Sequence, residues 1–133
     1  MTSHITTHRL RFNDTDRLGH VNNAVFAVML EQGRSELAMA AGLPVEGAAQ
    51  ALVIVRLELD FVAEMAWPGD VKIETAVAEL GGRSIKLRQR LVCGGTETAR
   101  ALTVLVVLDH ATKRAVPLTE AWRESLIQWH AIP

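Results

Sequence analysis

The sequence predicts a two-layer α+β domain, with one long apolar helix lying against an antiparallel sheet. Three observations lead there. A polar loop, Arg11 to Asn23, runs straight into Ala24-Val25-Phe26-Ala27-Val28-Met29-Leu30, which is apolar throughout. Beyond Gln50 the apolar period changes from helical to two. The later apolar stretches are joined by short glycine and proline turns, and short turns join antiparallel neighbours.

Taken in order, Ile5 to Phe12 reads as a short strand. Asn23 to Ala41 reads as one helix, with Gly42 and Pro44 as stop signals. Its first half is apolar on nearly every side and is expected to be buried on most faces. Its second half carries Glu31, Gln32, Arg34 and Glu36 and is expected to meet solvent or a partner. Gly33 interrupts it at a cost of about 1 kcal/mol relative to Ala, which implies the close approach of a neighbouring backbone.

After a loop from Pro44 to Gln50, Val53, Val55, Leu57, Leu59 and Phe61 alternate with Ile54, Arg56, Glu58 and Asp60. That is a strand with one apolar face. Pro68-Gly69-Asp70 turns the chain into a second strand bearing Val71, Ile73, Thr75 and Val77. Gly81-Gly82 can supply the positive φ angles of a tight hairpin, leading into Ile85, Leu87, Gln89 and Leu91. Gly94-Gly95 turns again, and Ala101 to Leu108 is apolar on both faces, as a central strand would be. Thr119 to His130 reads as a C-terminal helix with Thr119 as its N-cap. The sheet has to curl to cover the long helix.

The chain has 133 residues, the size of one domain, and shows no repeat or linker. Apolar residues make up 49%, which excludes a disordered chain. A net charge of −1 provides no global basic field for nucleic acid. Cys93 is the only cysteine, so no intrachain disulfide can form. It falls within a strand pattern, where a structural residue is expected rather than a nucleophile. Met1-Thr2-Ser3-His4 lacks the layout of a signal peptide, and no apolar run reaches the roughly 18–20 residues of a membrane span. The expectation is a cytoplasmic protein without membrane or nucleic-acid partners.

The loop "NDTDRLGHVNN" carries the chemistry. Its simplest role is helix capping. Asn22 or Asn23 can accept from a first-turn N–H, and Asp14 and Asp16 would lie near the positive end of the helix dipole. Gly19 would serve a turn that other residues enter with strain. One cap is enough, and the loop offers several. A calcium loop starting at Asp14 fails, because Leu18 and Val25 occupy its fifth and twelfth positions. A metal held by Asp14, Asp16 and His20 has no second His or Cys cluster to support it, so no metal is expected. Ser35 and Ser84 lack a nucleophile elbow, and phosphate and dinucleotide loops are absent. A catalytic role remains. A carboxylate ahead of a helix start faces unpaired backbone N–H donors, which can stabilise an oxyanion while the carboxylate attacks or activates water.

The stretch "RFNDTDRLGHVNNAVFAVMLEQGRSEL" resembles the signature of hot-dog-fold acyl-CoA thioesterases of the 4-hydroxybenzoyl-CoA thioesterase group. Arg11-Phe12, Asp14, Asp16, Gly19-His20-Val21-Asn22-Asn23, Glu31 and Arg34 match in order and spacing, as do "VRLELDFVAEMAWPGD" and "GGRSIKL". The resemblance spans roughly residues 5 to 118. It implies a hot-dog fold, an antiparallel sheet curled around the helix from about Asn23 to Ala41, in a single domain over residues 1–133. It implies a homodimer with sheets joined edge to edge, often paired again as a homotetramer, with active sites at the subunit interface.

By the same resemblance the catalytic Asp falls on Asp16, and the N–H that polarises the thioester carbonyl falls on Asn23. His20 is a loop organiser rather than the base, and a catalytic role for Glu31 is secondary. Gly19, Asn22 and Phe26 belong to the substrate site. The CoA tail would be held near Arg83, Ser84, Lys86 and Arg88, whose alternative is a solvated strand face. Coenzyme A enters as part of the substrate, and no other cofactor is implied. Many relatives carry Tyr where Phe26 stands, and this chain has no Tyr. Two rivals remain. One is a hot-dog hydratase or dehydratase using Asp16 and His20. The other is a non-catalytic acyl-CoA-binding module, although such domains usually come with a DNA-binding segment.

Overall fold

The computed structural model describes residues 3–130 except 46 and 48. The chain begins with β1 (His4–Arg9), a 3-10 turn (Phe12–Asp14) and the 18-residue helix α1 (Asn23–Ala40). Then come β2 (Gln50–Phe61), β3 (Asp70–Leu80), β4 (Ser84–Cys93), β5 (Thr96–Asp109), the short β6 (Arg114–Ala115) and α2 (Glu120–Ile127). The strands form one antiparallel sheet in the order β1-β3-β4-β5-β2, with β6 against β5. This curled sheet around a helix, with a second helix after it, is the architecture expected from the sequence.

The core has two parts along α1. Phe26, Met29 and Leu30 pack with Val71, Ile73 and Leu91. Leu37 and Ala38 pack with Val77, Leu87 and Leu105, closed over by Leu126 of α2. Apolar residues on successive helical turns face alternate residues of the strands, so the helical and strand periods meet in one seam.

Several expectations change in detail. The first strand ends at Arg9, and Phe12 begins the 3-10 turn. β5 is interior, between β4 and β2, while β4 occupies the middle. Gly94 and Gly95 have φ of +59° and +79°, suited to a two-residue hairpin, but Gly81 and Gly82 are not among the positive-φ residues. Gly81 is small for another reason, because an added Cβ would lie 2.5 Å from Ser84 Oγ. Gly33 meets side chains rather than a neighbouring backbone. A Cβ there would lie 2.5 Å from Ile73 Cγ2 and 3.0 Å from Gln89 Nε2.

β2 departs furthest from expectation. Its apolar set is not a buried face, since Val55, Leu57 and Phe61 are all exposed. The strand lies at the sheet edge with a bulge between Ile54 and Arg56, and its outer side is unpaired among the described residues. A twelve-residue edge strand that exposes Ile54, Val55, Leu57 and Phe61, with Arg56, Glu58 and Asp60 among them, is a template for another strand.

Candidate active site

The site is built where the loop enters α1. Asn22 takes extended backbone angles, and its Oδ1 accepts from the Ala24 N–H at 2.9 Å, which makes it the N-cap. The Val25 N–H turns back to the Asn22 carbonyl at 2.9 Å. The Asn23 N–H has no partner among the described residues. One donor at the positive end of an 18-residue helix is thereby left open.

Asp16 is exposed. Its Oδ1 accepts from the Leu18 N–H at 2.8 Å, and its Oδ2 has no protein partner among the described residues. Its main chain is held on both sides, with Asp16 N–H to the His20 carbonyl at 2.8 Å and Gly19 N–H to the Asp16 carbonyl at 3.0 Å. Gly19 has φ +86°, so this turn requires a residue without a Cβ. His20 forms a β-bridge with Ala66, and its Nε2 lies 3.1 Å from Glu64 Oε2. Those contacts tie the loop to the segment after β2.

Asp16, His20, Asn23 and Phe26 line one open cleft of about 340 Å³, closed opposite by Phe61 and Val62. Phe26 meets Phe61 edge to face at 5.2 Å. The cleft therefore combines a carboxylate, a helix-end donor and an aromatic wall. Gly19 and Asn22, expected in the substrate site, are not among the residues that line it, and the Asn22 side chain is committed to the cap.

Asp14 belongs to the frame instead. It is 2% exposed, and its carboxylate accepts from the Arg11 N–H at 2.8 Å, from Arg11 Nη2 at 3.1 Å and from His8 Nε2 at 3.0 Å. Burial alone would raise its pKa, but the Arg11 N–H, His8 and the Arg11 guanidinium outweigh it and hold the carboxyl below its usual range. The Asp14 carbonyl accepts from the Asn22 N–H at 2.8 Å, which ties this anchor to the helix start. The sequence offered Asp14 and Asp16 as similar carboxylates. Only the three donors around Asp14 separate them.

Other site expectations lie elsewhere on the protomer. Glu31 is in a second cleft with Arg34, two turns along α1, and not with Asp16. No Glu31–Arg34 ion pair forms among the described residues. Arg83 and Ser84 sit at the β3–β4 turn, and Lys86 Nζ lies 3.6 Å from Glu79. Arg88 lines a charged cleft with Glu58, Asp60, Arg90 and Arg100. The β3–β4 turn is separated from the Asp16 end of the sheet by the length of β4, about 30 Å for its ten residues. Gln89 is a residue the sequence analysis passed over. It is 1% exposed, and its Nε2 donates to the Leu30 carbonyl at 2.9 Å and to Thr75 Oγ1 at 3.0 Å. A polar residue at an inward position of the third strand was the available signal. Cys93, at the end of β4, is half-buried, and burial with the nearby Asp70 raises its pKa, so it is a poor thiolate.

The model of the thioesterase-like superfamily matches residues 10–126. The chain belongs to that superfamily. Thioester hydrolysis is the activity this membership carries. The fold is shared with a predicted thioesterase from Bacillus stearothermophilus, at TM-score 0.90 and 27% identity over 99% of both chains. It is also shared with a thioesterase complexed with coenzyme A and Zn from Thermus thermophilus. That likeness has TM-score 0.81 and 31% identity, over 92% of this chain and 95% of the other. A 1,4-dihydroxy-2-naphthoyl-CoA thioesterase from Synechocystis matches in fold, at TM-score 0.83 and 17% identity over 93% and 95% of the two chains. No curated protein matches by sequence. Among the described residues no three His, Cys, Asp or Glu side chains converge as a metal group would require. No helix of the described residues is long and apolar enough to cross a membrane.

Proposed function

We propose that the protein hydrolyses acyl-CoA thioesters, with Asp16 as nucleophile or general base and the Asn23 N–H holding the carbonyl oxygen. The observation that carries this is one cleft lined by both Asp16, with a carboxylate oxygen, and Asn23, with a first-turn N–H, neither group having a partner among the described residues. The carbonyl oxygen accepts from Asn23, and negative charge grows there as the carbon is attacked. In the base form Asp16 takes a proton from water, hydroxide adds to the carbon, and collapse expels CoA as a thiolate. In the nucleophile form the carboxylate adds directly, collapse expels CoA as a thiolate to leave a mixed anhydride, and water then opens that anhydride to free acid and regenerated Asp16. The leaving thiol has a pKa near 8.5, so departure needs little acid assistance.

A second copy completes the proposed enzyme. The outer edge of β2 exposes Ile54, Val55, Leu57, Phe61 and Val62. Antiparallel pairing with the same edge of another copy would cover them and extend the sheet. It would also turn the far end of that copy toward this Asp16 cleft. Arg83, Ser84, Lys86 and Arg88 are the proposed cationic and polar contacts for the CoA phosphates, in a site that spans both copies. Pairing of dimers into a tetramer and a cytoplasmic setting complete the reading. No specific observation favours the hydratase or the binding module, and family membership favours hydrolysis.

The test is thiol release from a panel of acyl-CoAs of increasing length plus one aromatic ester. Release with stoichiometric free acid is expected. Tight binding without release, or hydration of crotonyl-CoA with no thiol, overturns the proposal.

A further inference from the structure

The Arg34 end of α1 holds a charge that the chemistry above does not use. Arg34 is 7% exposed, yet its one hydrogen bond among the described residues is Nη1 to the neutral Gln89 Oε1 at 3.3 Å. A buried guanidinium is normally paired with a carboxylate, because removing it from water is costly. The enclosed polar atoms lacking partners are His4 Nδ1, Thr6 Oγ1 and Thr103 Oγ1, and none belongs to Arg34. Its remaining N–H groups are thus not fully enclosed, and Arg34 lines the cleft beside it. That cleft holds about 370 Å³, walled by Leu52, Ile54 and Leu105, with Arg34, Ser35 and Glu31 as its polar groups. It is an apolar slot with a poorly matched cation in its side.

The position of the slot links it to Asp16. Exposed apolar residues run from Ile54 in β2 to Val62 just beyond it, with Arg56, Glu58 and Asp60 between them, so the middle lies at Glu58, beside Leu57. Pairing this strand antiparallel with a second copy about either residue sets segment 52–54 of one copy opposite segment 60–64 of the other. A centre at Leu57 also sets Arg56 of each copy across from Glu58 of the other. Leu52 and Ile54 wall the Arg34 slot, while Phe61 and Val62 wall the Asp16 cleft. On one chain the two clefts lie at opposite ends of β2. In the pair they adjoin.

We propose that the Arg34 slot is the distal acyl subsite for the Asp16 cleft of the second copy, and that Arg34 selects acyl groups bearing an acceptor oxygen remote from the thioester. The inference rests on the thioesterase reading and on pairing through β2. Leu52, Ile54 and Leu105 would surround the chain, and Arg34 would donate to its terminal hydroxyl or oxo group. Glu31 in the same slot disfavours a terminal carboxylate and can accept from a hydroxyl.

The experiment compares kcat/KM for alkanoyl-CoAs of four to ten carbons with their terminal-hydroxyl counterparts, for the wild type, Arg34→Met and Arg34→Lys. At the best length the hydroxyacyl ester is expected to be favoured by about 10–100-fold, the range of one charge-assisted hydrogen bond. Arg34→Met brings that ratio to about one, and Arg34→Lys keeps part of it. Equal rates for the paired esters in the wild type, or an unchanged ratio in Arg34→Met, overturn the inference. So does full activity from a monomer by sedimentation. If Arg34→Met fails to fold, Ser35→Leu, which narrows the slot with Arg34 in place, must lower the ratio, and an unchanged ratio there also overturns it. Thiol release without a preference defeats this inference alone. The absence of thiol release from every ester defeats the thioesterase reading instead.

Discussion

Asp14 lies 2% exposed among three donors, while Asp16, two residues on, stands exposed with one oxygen unpaired. They share a loop and a residue type, and both main chains help set the start of α1. A carboxylate enclosed by an N–H, a guanidinium and an imidazole has its lone pairs committed and its charge balanced, so it holds structure. A carboxylate with one oxygen free of protein partners among the described residues has lone pairs left for a ligand, which is the part proposed for Asp16. Sequence spacing assigns neither role, because both depend on residues brought in from β1 and from the segment after β2.

The sharpest way to break this comparison is Asp16→Asn. Turnover is expected to fall by about 10²–10⁴-fold while the melting midpoint stays within the shift of about 1 kcal/mol. An equal loss of stability and turnover would make Asp16 a second Asp14. The converse variant, Asp14→Ala, is expected to lose about 2–3 kcal/mol of stability by denaturant titration, because its donors lose a charged partner. Its residual turnover should track the folded fraction.

pH sharpens the contrast next. The Asp14 pKa lies below its unfolded value, so its stabilisation is fully present above about pH 4. It is lost as pH falls through the folded pKa. Melting curves of the wild type and Asp14→Ala should therefore converge below about pH 4 and separate above it. Parallel curves down to acid pH would mean that Asp14 is not held as an anion. The smallest effect is expected from Asn22→Ala, about 1 kcal/mol of stability by denaturant titration, for loss of the cap to the Ala24 N–H. A much larger fall in turnover would show that the cap also positions the Asn23 donor.

The second comparison runs between the two halves of α1. The first half is expected from sequence to be buried on most faces, but it is buried on one: Phe26, Met29 and Leu30 are nearly inaccessible, while Ala24 is exposed and Val28 is 58% exposed. The second half carries five polar residues, yet Gly33 and Arg34 are buried there. The sheet comes close enough at Gly33 to meet a Cβ, and Gln89 fills the polar gap at that crossing. Such a crossing joins positions 33 and 89, and no local pattern encodes a pairing over that separation. β2 teaches a related lesson. Its alternation is genuine, but alternation reports that a face is apolar and not what covers it.

The sequence by itself determined the succession of main elements, a cap at Asn22 or Asn23, the cap at Thr119, the turn at Gly19 and the family motif. Each is a matter of propensity, period or hydrogen bonding within a few residues. Only the tertiary structure decided which loop aspartate is enclosed, that Glu31 sides with Arg34 rather than Asp16, and that β2 ends the sheet with an apolar edge. The β2 edge depends on pairing between segments far apart in the chain, and the enclosure of Asp14 on how the turn after β1 folds back toward His8 and Arg11. Burial and charge balance are set there, and they decide what a side chain can do.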